Sequence, residues 1–372
     1  MLRRLATNRW VRLGLLALAL GFCVLALASQ RAEAAAALHK LDWASVAGAV
    51  VAAIAGLACQ MLSWRTVVRD LGSPLSVSSS TRIAGVAGLG KYVPGAVWAA
   101  AAQVELARGH DVPRKRSATA TVVSMLITLA TGLLVAAVAL PLSSRGAAQE
   151  YWWVLVLAVP ALIGLYPPLT GRVLDRLLRL ARRPPLERRI SAGGMARAIG
   201  WSLVGWAFLG LHAWLLVASV TGRGADVLLI AVGAYALAWS VGFVLIPFPG
   251  GVGPREVAFI AALAPVMPRG SAIVVAVVSR LVLVVADLVA AAVAFALSRW
   301  ARRRGKQSQV PGRDAVIQGT GEHQQQAPGQ DGPKASGQDS PQAPGRDGPP
   351  APGRNGPQAS PQGGTRHAGA AS

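Results

Sequence analysis

The sequence pattern that most clearly indicates a binding site is a pair of charged residues next to a break in an apolar run. Residues 239–246 are apolar, residues 247–254 (PFPGGVGP) contain three prolines and three glycines, and Arg255 and Glu256 follow at once. Such a segment cannot continue a helix, because proline lacks the N–H donor and glycine leaves the backbone loose. Inside a membrane, a break must be buried in protein or line a polar cavity. The alternative is a short loop between two ordinary spans. The candidates for lining a substrate path here are Gly250, Gly251, Gly253, Arg255 and Glu256.

Two further ionisable residues, Arg280 and Asp287, lie inside the apolar run 272–297. They are seven residues apart and therefore share one face of a helix. Ionisable groups within an apolar span are costly, so they usually pair or line a path. A structural ion pair, with Glu256 or with each other, is the alternative to a functional role.

A second break with adjacent charge lies in the first half of the chain. Residues 82–107 have an apolar lead, then KYVPG at residues 91–95, then a second apolar run. Both stretches consist of a helix, a Pro-Gly break with an adjacent charge, and a second helix, which suggests a weak internal repeat, as in transporters built from duplicated halves. The candidates from this stretch are Lys91, Tyr92, Pro94, Gly95, Trp98 and Glu105.

The composition indicates that these charges sit in a membrane protein. Of 372 residues, 53 % are hydrophobic and only 14 % are charged, which is too apolar for an ordinary soluble protein. The net charge is +21, but the arginines cluster between apolar runs, as in cytoplasmic loops that face anionic lipid. Nucleic acid is therefore not an expected partner.

We predict an all-α, polytopic fold with seven or eight transmembrane helices and two broken or re-entrant segments. The first run is preceded by basic residues and is interpreted as an uncleaved span, with a cleaved signal as the alternative. Residues 29–43 are expected to form an external connection. The arginine-rich loop 171–197 is expected in the cytoplasm, with an interfacial helix at 172–180. The predicted spans are 13–28, 44–62, 118–140, 151–169, 199–220, 227–246 and 272–297.

The positions of basic residues constrain the two breaks. If residues 82–107 enter and leave from the cytoplasmic side, the basic residues at 108–116 stay in the cytoplasm, as the positive-inside rule requires. The basic residues at 299–306 reach the cytoplasm only if the second break crosses the membrane, which gives eight passes. A purely re-entrant second break gives seven passes and is disfavoured.

The chain divides into a membrane domain, residues 1–300, and a tail, residues 301–372. The tail is rich in Gly, Pro and Gln and repeats an eight-residue pattern (APGRDGPP, APGRNGPQ) without apolar positions, so we expect disorder. Cys23 and Cys59 lie in apolar runs and are interpreted as small buried hydrophobic residues. His212 is interpreted as a hydrogen-bonded interior histidine and is not counted in the site.

Three stretches in order resemble the membrane region of lysylphosphatidylglycerol synthases: GKYVPGAVW (90–98), PGGVGPRE (249–256) and SRLVLVVADL (279–288). The resemblance covers roughly residues 10–300, and the same region occurs as stand-alone bacterial membrane proteins. In the two-domain synthases this region is associated with moving the aminoacylated lipid between leaflets, while a soluble domain attaches the amino acid. The sequence leaves no room for that soluble domain. The resemblance therefore implies translocation without synthesis, and it leaves the cargo open.

The expected function is translocation of an aminoacylated phospholipid, or another anionic or polyprenyl lipid, in the plasma membrane. In this hypothesis Lys91, Arg255 and Arg280 offer positive charge to a phosphate, while Glu256 and Asp287 hold these cations or bind an amino group or a proton. The sequence contains no phosphate-binding loop, zinc-binding helix motif or nucleophile elbow, so we expect no enzyme activity, cofactor or metal. The alternative is a scaffold or regulator of a lipid- or glycan-modifying enzyme, docking through residues 172–197. The sequence also leaves homo-oligomerisation open.

Overall fold

The structure, a computed structural model, describes residues 31–92, 98–143, 145–180, 188–245 and 253–307. These ranges contain helices and no strand. The helices are α1 (Arg31–Lys40), α2 (Trp43–Asp70), α3 (Val77–Gly88), α4 (Trp98–Arg108), α5 (Arg114–Ser143), α6 (Arg145–Glu150), α7 (Trp152–Gly164), α8 (Pro167–Leu180), α9 (Ala192–Thr221), α10 (Leu228–Val244), α11 (Pro254–Leu263) and α12 (Arg269–Gln307). Short 3₁₀ turns occupy Leu89–Tyr92 and Ala225–Val227. The prediction of an all-α fold is confirmed.

Among the described residues, five helical segments are long and apolar enough to cross a membrane, as a multi-pass membrane protein requires. They are Trp43–Asp70, Arg114–Ser143, Ala192–Thr221, Ala225–Val244 and Arg269–Arg299. Each corresponds to a predicted span. The span predicted at 151–169 is a shorter apolar helix, α7, followed by α8, which includes the predicted helix 172–180. The span predicted at 13–28 lies outside the described residues.

Two segments are more helical than we predicted. The expected connection at 29–43 contains α1, because its run of alanines has high helix propensity. The carboxylate of Glu33 in α1 accepts a hydrogen bond from the backbone N–H of Gly270 at 2.8 Å, which satisfies a donor in the first turn of α12. Helix α12 continues to Gln307, into the predicted tail, because arginine, lysine and glutamine favour helix.

One end of the bundle, here called the basic end, joins the C-terminus of α2 to the N-termini of α5 and α9. The Asp70 carboxylate accepts hydrogen bonds from the backbone N–H and the hydroxyl of Ser191, at 2.6 and 2.9 Å. The guanidinium of Arg116 donates to the Gly72 carbonyl at 3.2 Å. The chain therefore leaves the basic end after α2, forms the hairpin α3–α4, and is back at the same end where α5 begins.

The opposite end joins the N-termini of α2 and α12 to the C-terminus of α9. The Asp42 N–H donates to the Ser219 hydroxyl at 2.8 Å. Helix α1 connects the two sides of this end, because the backbone carbonyl of Lys40 accepts a hydrogen bond from the Ser219 hydroxyl while Glu33 caps α12. Helix α10 begins just after α9 ends, so α10 and α12 start at the same end. The segment between α10 and α12, which contains α11, therefore brings the chain back to the end opposite the basic end. This path agrees with the prediction that the second break crosses the membrane.

Small residues allow the broken segments to approach the long helices closely. A Cβ atom at Gly85 in α3 would lie 2.6 Å from the carbonyl oxygen of Ala290 in α12. A Cβ atom at Gly56 in α2 would lie 2.7 Å from Leu209 in α9. Close backbone approach at small residues is a principal source of helix association where lipid replaces water. Gly85 thus sets how near the α3–α4 hairpin lies to α12.

A buried polar network fixes α5 against α9. The hydroxyls of Thr131 and Ser202 lie 2.8 Å apart, and the indole N–H of Trp206 donates to Thr131 at 3.1 Å. The side chain of Gln60 in α2 joins this network through Ser202 at 3.2 Å. Because each of these contacts pairs a buried polar group, the network fixes α2, α5 and α9 relative to one another.

Substituting Gly85 tests the close approach of α3 to α12. In Gly85→Ala the new methyl group must displace backbone, so we expect a loss of about 1–3 kcal/mol in the free energy of unfolding. The matched control is Gly200→Ala in α9, where a Cβ atom meets no atom within 4 Å. Thermal unfolding in detergent measures both variants. Equal stability of the two variants would contradict the packing described here.

The N-cap of α2 gives a pH-dependent contribution to stability. The backbone N–H of Ser45 donates to the Asp42 carboxylate at 3.0 Å and holds its pKa below the ordinary 3.8. A lowered pKa in the folded state means that the stabilisation is complete above the unfolded pKa and is lost as the pH falls through the folded pKa. We expect Asp42→Ala to lower Tm at pH 7, and the difference from the wild type to disappear as the pH falls through the folded pKa of Asp42. A Tm difference that is independent of pH would contradict this role.

Candidate functional site

The tip of the α3–α4 hairpin contacts a buried carboxylate in α12. The ammonium of Lys91 lies 2.5 Å from Asp287 Oδ2, and the Tyr92 hydroxyl donates to the same oxygen at 2.5 Å. The Asp287 side chain is only 7 % exposed. The 3₁₀ turn that presents both donors contains Gly90, where a Cβ atom would lie 2.9 Å from the backbone of Ala99. The break in the first half of the chain thus delivers a cation to the last long helix.

The second break delivers Arg255 to the middle of α10. The Arg255 guanidinium donates to the Tyr235 hydroxyl at 2.7 Å and lies over the ring of Tyr235, 5.1 Å from its centroid. Tyr235 is buried at the middle of the apolar segment Ala225–Val244. Gly253, with φ +98°, turns the chain into α11, and Pro254 occupies its first position. The arginine therefore lies at the depth of the centre of a span.

Glu256 has two roles at the start of α11. Its Oε2 accepts a hydrogen bond from the Gly253 N–H at 2.7 Å. This is one of the two hydrogen bonds of a capping box, the one between the N-cap backbone and the side chain three residues later. Its Oε1 lies 4.0 Å from the Arg280 guanidinium in α12, a distance for electrostatic attraction without a direct hydrogen bond. The carboxylate thus stabilises the broken helix and faces a cation at the same time.

These contacts form one charged cluster, defined as Lys91, Arg255, Glu256, Arg280 and Asp287. Three cations and two carboxylates leave one net positive charge. Arg280 and Asp287 are seven residues apart in α12 and so lie on one face of it, which places the contacts of the two breaks along the same face. The centre of the apolar segment Arg269–Arg299 lies between Arg280 and Asp287, so the cluster lies at mid-depth in the bundle. The predicted shared face of these two α12 residues is confirmed, and their partners come from different breaks.

A small pocket lies beside the arginines of the cluster. The pocket has room for about one water molecule. A phosphate group needs more space, so binding one requires movement of a side chain or a helix. The lining residues are Tyr235, Arg255, Glu256, Phe259, Ala276, Ser279 and Arg280.

Three residues near the pocket were not among the predicted site residues. His212 is fully buried, as its interpretation as an interior histidine required, and hydrogen-bonds to the Leu209 carbonyl and to the Ser279 hydroxyl. Its ring packs edge-on against Tyr235 with centroids 4.5 Å apart. Tyr235 and Ser279 are polar residues within long apolar runs. This feature of the sequence could have identified them as site candidates.

The structure does not bring every predicted residue to the cluster. Trp98 lies at the start of α4 and is half exposed. Glu105, near the end of α4, forms exposed ion pairs with Arg114 at 2.7 Å and Arg108 at 3.4 Å. The role of Glu105 in a path stays a prediction. Pro94, Gly95, Gly250 and Gly251 lie outside the described residues. Within the described ranges, no three His, Cys, Asp or Glu side chains are grouped to hold a metal ion.

The family of the chain follows from a comparison with family models. The model described as lysylphosphatidylglycerol synthase TM region matches residues 13–305, which include both breaks, the charged cluster and the five long apolar segments described above. The chain belongs to this family. Comparison with the curated proteins gave no significant match. Membership agrees with the multi-pass membrane architecture, and both sequence breaks that produce the cluster fall inside the family region.

Energetic coupling between Lys91 and Asp287 tests the pairing across the two elements. Asp287→Asn leaves the lysine near a neutral group, and Lys91→Met leaves the carboxylate without its cation, so each single variant should lose stability. We expect the double variant to lose less free energy of unfolding than the two single variants lose together. The difference, the coupling energy, should be about 1–3 kcal/mol by thermal unfolding.

The exposed pair of Arg223 and Asp226, 2.6 Å apart, is the matched control for this cycle. Its two side chains are about half exposed, so we expect a coupling below about 1 kcal/mol. Equal coupling in the two cycles would contradict a special role for the pair at the hairpin tip.

Proposed function

We propose that this protein moves the anionic head group of a lipid between the leaflets of the cell membrane. The observation that supports it most is the charged cluster at mid-depth, to which both broken segments contribute a cation. Ionisable groups at that depth are costly and are typically kept on substrate pathways. Broken helices whose tips meet at the midplane are the arrangement of binding sites in secondary transporters.

The path of the chain supports a membrane orientation for this proposal. The α3–α4 hairpin begins and ends at the basic end, so in a bilayer it would be re-entrant from that side. Helix α11 has ten residues, or about 15 Å, so it would form the second half of a broken crossing. The positive-inside rule places the basic end in the cytoplasm. Its basic residues include Arg65, Arg69, Arg108, Arg114, Lys115, Arg116, Arg188, Arg189 and Arg197.

The cluster offers exchangeable partners for a phosphate. Arginine binds phosphate through two parallel hydrogen bonds, and Arg255 also lies in the first turn of α11, where the helix dipole favours an anion. Glu256 and Asp287 keep the cations paired while the site is empty, which limits the cost of holding charge away from water. An entering phosphate would replace a carboxylate as the partner of a cation, while the acyl chains stay in lipid.

Transport requires the cluster to open. The pocket admits about one water molecule, so a head group enters only when the hairpin tip or α11 moves. The pairs differ in how tightly they hold: Lys91 lies 2.5 Å from Asp287, whereas Arg280 lies 4.0 Å from Glu256. We therefore place the first separation at the looser contact between α11 and α12. This mechanism transfers no chemical group, and the protein acts as a transporter and not as an enzyme.

A scaffold for a lipid- or glycan-modifying enzyme is the second candidate. It is supported by the exposed arginines of α8, at positions 172, 176 and 179, and by the contact of Arg189 with Asp175 at 3.2 Å. These residues would present a basic helix to a partner at the cytoplasmic surface. In this case neutralising α8 would matter more than removing the charges of the cluster.

Leaflet exchange in proteoliposomes tests the proposal. Purified protein is reconstituted with labelled phosphatidylglycerol, its lysyl ester or a polyprenyl phosphate, and the accessibility of the label is followed over time. We expect the wild type to accelerate exchange of at least one lipid, and Arg255→Ala and Arg280→Ala to reduce it to the protein-free rate. The matched control is Arg223→Ala, which removes an arginine whose ion pair lies outside the cluster.

Exchange at the wild-type rate by both cluster variants would refute the assignment. Absence of exchange of all three lipids by folded wild-type protein would also refute it and would favour the scaffold. Binding of a partner enzyme that depends on α8 would support that second candidate.

A further inference from the structure

Ser279 and His212 form a hydrogen-bonded pair next to the arginines of the pocket. Ser279 lines the pocket, immediately before Arg280 in α12, and is 3 % exposed. Its hydroxyl lies 2.9 Å from Nε2 of His212, which belongs to α9 and is fully buried. The serine therefore stands between a buried ring on one side and the pocket on the other.

The partners of His212 define where its protons are. The other ring nitrogen, Nδ1, contacts the backbone carbonyl of Leu209. A carbonyl oxygen only accepts hydrogen bonds, so Nδ1 must carry a hydrogen. Neither of its printed partners carries a charge, and a charged ring away from water would be costly, so burial favours the uncharged ring. The uncharged ring then has Nε2 as an acceptor.

It follows that the single hydroxyl proton of Ser279 is donated to His212 Nε2. The hydroxyl oxygen of Ser279 then has only lone pairs left, so toward the pocket it acts as a hydrogen-bond acceptor. The neighbouring Arg255 and Arg280 are donors only. The pocket thus offers donors for an anion and, directly beside them, a neutral acceptor for a hydrogen-bond donor of the same ligand.

We infer that Ser279, positioned by His212, selects head groups that carry a hydrogen-bond donor next to their phosphate. This inference rests on the proposed function, since it concerns which lipid the translocation site accepts. The net positive charge of the cluster favours a head group that is anionic overall, so the donor is a hydroxyl and not an ammonium group. A head group without a donor would leave the buried acceptor of Ser279 unpaired, and this lowers its rate of exchange.

Three lipids with the same phosphodiester and different head groups test the selection. Phosphatidylglycerol supplies hydroxyls, phosphatidylethanolamine supplies an ammonium group, and phosphatidylpropanol has the size of the first without any donor. One hydrogen bond corresponds to about a 3- to 10-fold difference, so we expect wild-type exchange of phosphatidylglycerol to exceed that of phosphatidylpropanol by this factor. Exchange of phosphatidylethanolamine should be slower than that of phosphatidylglycerol.

Ser279→Ala should make the rates for phosphatidylglycerol and phosphatidylpropanol equal, chiefly by slowing the former. The matched control is Ser240→Ala, which removes a buried hydroxyl that bonds to the Ala236 carbonyl in α10. It should keep the wild-type ratio. Because the readout is a ratio between two lipids, a general loss of folded protein does not imitate the effect.

The failures of the two proposals are distinguishable. Wild-type exchange that does not distinguish the two lipids, or a ratio that survives Ser279→Ala, overturns the selection by Ser279 while leaving translocation in place. Faster exchange of phosphatidylethanolamine than of phosphatidylglycerol overturns the choice of a hydroxyl. Absence of exchange of every lipid by the wild type overturns the proposed function and this inference together.

Discussion

The ion pair between Lys91 and Asp287 depends on a constraint that shapes the rest of the structure: a charge held away from water must have a partner. Asp287 lies in the second half of a long apolar helix, with its side chain almost fully buried. Lys91 can reach it only because the chain between α3 and α4 enters the bundle to the same depth. The α3–α4 hairpin does this, and the glycine at position 85 allows it to approach α12 closely.

The same constraint explains the second break. Helix α11 starts inside the bundle, where its first N–H groups would be unsatisfied. Glu256 accepts one of these hydrogen bonds and faces Arg280, while Arg255 is held by the hydroxyl and the ring of Tyr235. The charges at both breaks are therefore stabilised by partners from α10 and α12. Such a cluster is closed when empty, which agrees with a pocket that holds about one water molecule.

Much of this arrangement could be predicted from local sequence. Proline and glycine marked both breaks, and the seven-residue spacing placed Arg280 and Asp287 on one face. The positive charges at 299–306 favoured a crossing at the second break, and the helix ends that meet at each end of the bundle agree with that preference. These features were predictable because backbone chemistry, helix period and charge bias are properties of short stretches.

The partners within the cluster could not be predicted from local sequence. Whether Asp287 pairs with Lys91 or with Arg280 depends on how α3 packs on α12, which is a long-range property. His212, Tyr235 and Ser279 come from three different helices, and only their packing brings them together. Helix α1 was missed because mixed charge suggested a loop, whereas alanine propensity and the Glu33 contact with α12 favour helix.

Membrane depth of the hairpin tip is the most direct test of the claim that both breaks meet inside the bilayer. A spin label is attached at Leu89, in the turn at the tip, or at Ser76, where the hairpin starts, after replacing Cys23 and Cys59 with alanine. The relative access of oxygen and of a polar relaxation agent then gives the depth of each label in a lipid bilayer. We expect the Leu89 label close to the centre of the hydrocarbon core, which is about 30 Å thick, and the Ser76 label at the head groups. Equal, shallow depths for both labels would contradict a charged cluster at the membrane centre.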